Sequence, residues 1–254
     1  MNQGIVIKSK SEVDRMRAAG KLNALALSTV RKLIQPGITT AELDAAAEEV
    51  IRSHRAIPIF KDYPGPYPYP ATLTVSINDE LVHGVPGKRR LKAGDIVSID
   101  CGTLLDGFVG DAAFTMGVGK ISDEAKQLLE VTESALEKGI NKMCAGNRTG
   151  DVSSSIQRHV EKNGFFVTRE YTGHGVGRQM HEGPQVPNYG IPGRGVELRP
   201  GMTIALEPMV LIGGPRTRVL ADQWTVASAD GTLSAHFEHT VAVTDNGPFI
   251  LTEL

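Results

Sequence analysis

Leu91–Asp100 (LKAGDIVSID) and Leu198–Glu207 (LRPGMTIALE) spell one pattern twice, 107 positions apart. Leu91 answers to Leu198, Lys92 to Arg199, Gly94 to Gly201, Ile99 to Leu206 and Asp100 to Glu207. A second match, Pro36–Leu43 (PGITTAEL) with Ala145–Val152 (AGNRTGDV), has an offset of 109. Two colinear matches outweigh chance similarity. They point to an internal duplication of roughly 110 residues, a repeated half-domain rather than a solenoid. Each half predicts a helical part followed by a β part that ends on an acidic strand. The expectation is one α+β domain over 1–254, with pseudo-symmetric halves near 10–115 and 120–250. Packing about a pseudo-twofold axis then brings Asp100 and Glu207 together at the centre.

The first acidic strand is one arm of a hairpin. Val97–Asp100 is apolar and rich in β-branched residues, Asp106-Gly107 is a tight-turn dipeptide, and the chain returns through Phe108 and Val109 to Asp111. Asp100 and Asp111 thereby come close on adjoining strands. Two carboxylates at that distance repel, so one takes a proton unless a cation lies between them. The bland alternative is a pair of solvated aspartates in a turn, and the second acidic strand weighs against it.

Helices are marked by their starts. Ser9-x-x-Glu12 and Thr39-x-x-Glu42 are capping boxes, opening helices to about Ile34 and about His54. Ser122-Asp123-Glu124 caps a third helix, and a fourth is expected from about Asp151 to Asn163, with Gly164 just past its end. Short strands are expected at Ala71–Val75, Phe165–Tyr171 and Trp224–Ala227, and Thr172–Glu182 reads as a glycine-rich loop. Residues 58–70 (PIFKDYPGPYPYP) hold five of the fourteen prolines and three of the five tyrosines, which makes an extended, stiff loop. Such a loop loses little entropy on binding and suits a pocket wall.

A net charge of −2 with scattered Lys and Arg gives no nucleic-acid footprint, and no apolar run approaches membrane-spanning length. The N-terminal segment lacks the apolar core of a signal peptide. Cys101 and Cys144 make no disulfide framework, so a cytoplasmic location is the default, and near-equal charge with no obvious exposed apolar stripe makes a monomer the default. Cys101 faces away from Asp100 and is expected to pack.

In Ser234–Val241 (SAHFEHTV), His236, Glu238 and Thr240 share one face of a strand, and His239 points away as a structural residue. Asp100, Asp111, Glu207 and Glu238 thus form a cluster of four carboxylates with one histidine, and His236 stands behind it. Two divalent ions neutralise four carboxylates in formal charge. A carboxylate-rich set suits Mn, Co, Fe or Zn pairs and does not choose among them. Ions about 3.5–4 Å apart hold a bridging water as hydroxide and polarise a carbonyl, which is hydrolase chemistry.

Val82-His83-Gly84-Val85-Pro86, Ile99-Asp100 with Gly110-Asp111, Gly173-His174-Gly175-Val176-Gly177-Arg178 through His181-Glu182, Leu206-Glu207-Pro208-Met209 and Phe237-Glu238-His239-Thr240 resemble the type I methionine aminopeptidases of bacteria. The resemblance runs over nearly the whole chain. It implies the pita-bread fold of peptidase family M24, a curved antiparallel sheet covered by helices. It implies removal of initiator methionine from new chains by a metal-bridging hydroxide. The implied metal ligands are Asp100, Asp111, His174, Glu207 and Glu238, and which histidine is the ligand comes from the resemblance alone. Glu207 is implied as general base, His181 as oxyanion partner and His83 as partner of the scissile nitrogen. Tyr63, Tyr69, Met180 and Trp224 are expected walls of the methionine pocket. Two departures fall there: the 63–70 loop is not the usual family spelling, and Thr74 stands where a cysteine often occurs. Expected partners are peptides with N-terminal methionine and nascent chains, with the ribosome exit region left open. The rival readings are a proline-directed peptidase of the same family and an inactive binding module of the same fold.

Overall fold

The capping boxes form as the sequence predicts. Ser9 N donates to Glu12 Oε2 at 2.8 Å and Thr39 N to Glu42 Oε2 at 2.8 Å. In the computed structural model, which describes residues 4–254, they open helices α1 (Lys10–Leu33) and α2 (Thr40–Ser53). Strands β1 (Ile57–Pro58), β2 (Leu73–Ile77), β3 (Glu80–Val82), β4 (Ile96–Leu105) and β5 (Phe108–Gly117) follow. The chain then repeats the order with α3 (Asp123–Ile140), α4 (Thr149–Lys162), β6 (Phe166–Val167), β7 (Thr172–Gly175), β8 (Glu182–Pro187) and β9 (Thr203–Leu206). Strands β10 (Met209–Leu211), β11 (Thr217–Val219), β12 (Val226–Ser228), β13 (Ser234–His236), β14 (Glu238–Thr244) and β15 (Gly247–Ile250) complete it.

Several boundaries differ from the sequence expectations, each for a local reason. Helix α4 starts before Asp151 because Asp151 sits inside the first turn, accepting from Arg148 N at 2.8 Å. Strand β2 starts at Leu73 because Thr72 N and Leu73 N both donate to Asp44 Oδ1 on α2. Trp224 precedes β12 in a turn whose N–H groups at Trp224 and Thr225 are taken by Asp222 Oδ1. Of Phe165–Tyr171 only Phe166–Val167 is strand, and the expected glycine loop contains β7 and the start of β8. The expected strand through Ser234–Val241 is interrupted at Phe237, so His236 pairs with Met209 and Glu238 with Ala113.

The principal sheet runs β1-β4-β5-β14-β9-β7-β8, with β2 on β4 and β15 on β14, and its strand pairs are antiparallel. The β4–β5 hairpin turns at Asp106 and Gly107, both at positive φ (49° and 79°), as an Asp-Gly turn of this hand requires. On one face of the hairpin Ile99, Cys101 and Ala112 join the main apolar core beneath the helices. On the other face lie Asp100 and Asp111. Helix pairs α1–α2 and α3–α4 pack together, and α1 lies on β4 and β5.

The contact of α1 with β5 is backbone against backbone. A Cβ at Gly110 would stand 2.7 Å from Gly20 N and 2.8 Å from Ala19 C. Asn23 donates to Gly110 O at 3.2 Å and also to Cys101 O, pinning the helix behind the hairpin. Gly110→Ala is expected to force α1 off the sheet and cost about 1–3 kcal/mol or more. Urea unfolding should show a lower midpoint with an unchanged slope. An unaltered midpoint would mean that the helix has room to shift.

Candidate active site

Four strands of the sheet deliver four carboxylates to one place. Asp100 comes from β4, Asp111 from β5 and Glu238 from the start of β14, and Glu207 follows β9. In register Asp100 faces Ala113 and Asp111 faces Gly102, so the two aspartates sit diagonally on one face. Thr240 fixes that crossing: Asp111 N donates to Thr240 Oγ1 at 3.1 Å, and Thr240 Oγ1 donates to Asp111 O at 2.8 Å. Asp100, Asp111 and Glu238 are buried, at 8%, 2% and 2% exposure, so their charge is scarcely shared with water.

His174 joins them from β7. Its Nδ1–H donates to Gly175 O at 2.9 Å, which leaves Nε2 unprotonated and facing the cluster, 3.7 Å from Asp111 Oδ2 and 3.5 Å from Glu207 Oε1. Burial holds its pKa down at about 3, so it is a neutral ligand, not a salt-bridge cation. His236 approaches from β13, its Nε2 3.7 Å from both Glu207 Oε2 and Glu238 Oε2. Its backbone is clamped by Thr115, whose Oγ1 accepts from His236 N and donates to His236 O.

Burial first, and neighbouring carboxylates second, hold Asp100, Glu207 and Glu238 well above the usual carboxylate range. Burial raises Asp111 to about 7. A cation-free cluster is therefore electrostatically frustrated. Asp100 Oδ1, Asp111 Oδ1, Glu238 Oε1 and His236 Nε2 are buried and have no hydrogen-bond partner among the described residues. Buried polar atoms without partners are rare and point to an ion or water. Ligand atoms of Asp111, His174 and Glu238 lie within 4.8 Å of one another, as do those of Asp100, His236 and Glu238. The donor set fits divalent metal ions that favour oxygen and imidazole.

Above the cluster opens a cleft of about 1160 Å³. The side chains anticipated as ligands, substrate partners and pocket walls line it: the four carboxylates, His174, His83, His181, Tyr63, Tyr69, Met180 and Trp224. His83 is carried at φ 61°, a strained setting for a non-glycine residue, and next to it Gly84 packs on Val75, where a Cβ would stand 2.2 Å from Val75 O. Burial, with help from His181, lowers its pKa to about 4. The Tyr/Pro loop closes on itself, with Asp62 N bonded to Tyr69 O and Tyr69 N to Tyr63 O. Trp224 packs edge-on to Tyr67 and Tyr69. Thr74 lines the cleft directly across the β2–β4 pairing from Asp100. His239 turns away as anticipated, bonding Thr252 Oγ1 at 2.8 Å.

Sequence reasoning missed the N-terminal rim. Gly4 and Ile5 line the cleft, Ile5 bridges to Gly183, and Lys8 Nζ meets Glu182 Oε2 at 2.5 Å inside the protein. Glu182 Oε1 also takes Arg178 N and Gln179 N. The adjacency of Glu182 to His181 was the one available signal.

Residues 14–245 match the model of metallopeptidase family M24. A methionine aminopeptidase of Clostridium perfringens is 53% identical over 248 residues, covering 98% of each chain. The crystal structure of a methionine aminopeptidase from Thermotoga maritima superposes with a TM-score of 0.96 at 49% identity, covering 99% of this chain and 100% of that one. A prolidase from Pyrococcus furiosus shares the fold at a TM-score of 0.78 and 22% identity, over 98% of this chain and 66% of its own. These likenesses carry the pita-bread fold and its divalent-metal chemistry, and the chain belongs to metallopeptidase family M24, among the methionine aminopeptidases.

Proposed function

We propose that the chain removes the N-terminal methionine from peptides and nascent proteins, acting as a cytoplasmic monomer. The observation that carries this reading is the meeting, at the floor of one cleft, of a buried tetracarboxylate–histidine cluster with an aromatic and thioether wall. Asp100, Asp111, His174, Glu207 and Glu238 would hold two divalent cations, from among Co, Mn, Fe and Zn. When bound, such a pair activates a water and polarises the scissile carbonyl. Glu207, the most exposed of the four carboxylates, with a side chain 13% accessible, takes the proton of the attacking water. His181 donates to the carbonyl oxygen as charge develops there. His83 faces the scissile nitrogen and assists its departure. Asp100 orients the free amine, which restricts cleavage to the first residue. Tyr63, Tyr69, Met180 and Trp224 enclose the methionine side chain.

The same reading treats residues 1–254 as one catalytic domain of two related halves. Its support beyond the repeated sequence is a pair of matching isolated bridges, Thr39 with Arg90 and Arg148 with Glu197, which recur at the offsets of the two sequence matches.

The test is metal content together with hydrolysis of Met-Gly-Met-Met and of X-Pro peptides. Two metals per chain and release of methionine only are expected. Chelation should abolish release, and adding back a divalent ion should restore it. Because the ions bind only the folded chain, reloading should also raise Tm, by an amount that grows with free metal. Preferential X-Pro cleavage would move the chain to the proline-directed peptidases. Tight folding without metal uptake or peptidase activity would make it a binding module.

A further inference from the structure

His181 stands exposed at the mouth of the cleft. Its one side-chain hydrogen bond among the described residues is to Tyr63, whose hydroxyl lies 2.6 Å from His181 Nδ1. The two rings meet edge-on, with centroids 5.5 Å apart at 70°. On its other side the ring lies 4.3 Å from that of His174. We propose that Tyr63 is a positioning residue for His181: its hydroxyl donates to Nδ1 and so holds the imidazole with its hydrogen on Nε2, directed at the substrate carbonyl oxygen. This rests on the peptidase reading above.

The chemistry is that of a two-nitrogen ring. A neutral imidazole carries one hydrogen, and the nitrogen that accepts a hydrogen bond is the one without it. A phenol hydroxyl can donate or accept, and donating to Nδ1, as proposed, it leaves Nε2 as the donor, which is the form an oxyanion partner requires. A wall for a methionine side chain needs no hydroxyl, and Phe60 lines the same cleft without one. The hydroxyl of Tyr63 is therefore surplus to a purely apolar role.

The loop that carries Tyr63 is built to hold it still. Tyr63 N donates to Phe60 O at 2.9 Å, and Tyr63 O accepts from Tyr69 N at 3.0 Å. Tyr69 OH is tied to Leu73 O and Gly84 O, each at 2.9 Å, and so anchors the loop to the strand end that presents His83. Tyr67 OH reaches Asp222 O at 3.0 Å, and Gly65 presses on Trp224, where a Cβ would stand 2.3 Å from the indole. Pro64, Pro66, Pro68 and Pro70 stiffen the remainder. The proline- and tyrosine-rich spelling thereby gains a use beyond a wall: it delivers one hydroxyl to one ring nitrogen.

The experiment is Tyr63→Phe in the wild type and in a His181→Ala background, read as kcat, KM for Met-Gly-Met-Met and metal content. Removing a hydrogen-bond partner of this kind is expected to lower kcat about tenfold or more. KM should stay within about twofold, and metal content should not change. In the His181→Ala background Tyr63→Phe should cause no further loss, since the two residues act as one unit. An unchanged kcat, a loss confined to KM, or the same fold-loss in both backgrounds would reduce Tyr63 to a wall. A measurement on the unmutated holoenzyme guards against a misfolded variant. With ¹⁵N-labelled histidine, the His181 ring signals, assigned by their absence in His181→Ala, should report hydrogen on Nε2, and hydrogen on Nδ1 overturns the proposal. Absence of methionine release by the wild type would instead remove the peptidase reading itself.

Discussion

Glu207→Ala is expected to leave a folded chain whose release of methionine has fallen by about 10²–10⁴-fold, the range for loss of a positioned general base. The fold should survive because the substitution relieves strain. In the metal-free protein Glu207 is raised well above the carboxylate range by burial and by Asp111 and Asp100, so removing it removes a source of repulsion. Its backbone partner is also independent of the side chain, since Asn188 Nδ2 donates to Glu207 O at 3.0 Å. The metal-free variant should therefore melt no lower than metal-free wild type, while metal affinity falls with the lost ligand. The two readouts separate the roles. Activity restored by saturating metal would make Glu207 a ligand only, and activity lost at full metal occupancy would keep it as the base. A variant retaining more than about a tenth of wild-type kcat with no added metal, and with unchanged metal affinity, would remove Glu207 from both.

The acidic hairpin was legible because its information is local. Asp106-Gly107 fixes the turn, the turn fixes the register, and the register puts Asp100 and Asp111 on one face. The capping boxes were legible for the same reason. The two histidines that approach the cluster were harder to place. His174 sits on strand β7, yet its glycine neighbours read as a loop, because the glycines serve close packing: a Cβ at Gly175 would stand 2.1 Å from Gly183 O. Alternation placed His236 and Glu238 on one strand face. The strand breaks between them, and they converge through separate pairings, with Met209 and with Ala113. The bond from Tyr63 to His181 and the ion pair from Lys8 to Glu182 link distant parts of the chain, and no periodicity or spacing encodes such meetings. The core follows local pattern, whereas the supports of the catalytic side chains are tertiary.

Lys8→Met is expected to be the most destabilising of these changes, because it strands a buried charge. Lys8 and Glu182 side chains are 2% and 6% accessible, and their contact at 2.5 Å is the only ionic compensation either receives among the described residues. Breaking a buried pair from one side costs about 3–5 kcal/mol. The lower end applies here, since Glu182 keeps the N–H groups of Arg178 and Gln179 at 2.9 and 3.2 Å. Urea unfolding reads the loss as a fall in midpoint at nearly constant slope. Lys8→Met with Glu182→Gln should recover part of it, because the stranded charge is then gone while the amide oxygen still accepts from the two backbone groups. The same pair ties the N-terminal segment to the residue next to His181, so kcat for methionine release should fall in the single variant under conditions where it remains folded. A single variant as stable as wild type would show that water reaches Glu182 once the lysine is gone. A double variant no better than the single one would show that the lysine stem acts by packing and that its charge contributes little.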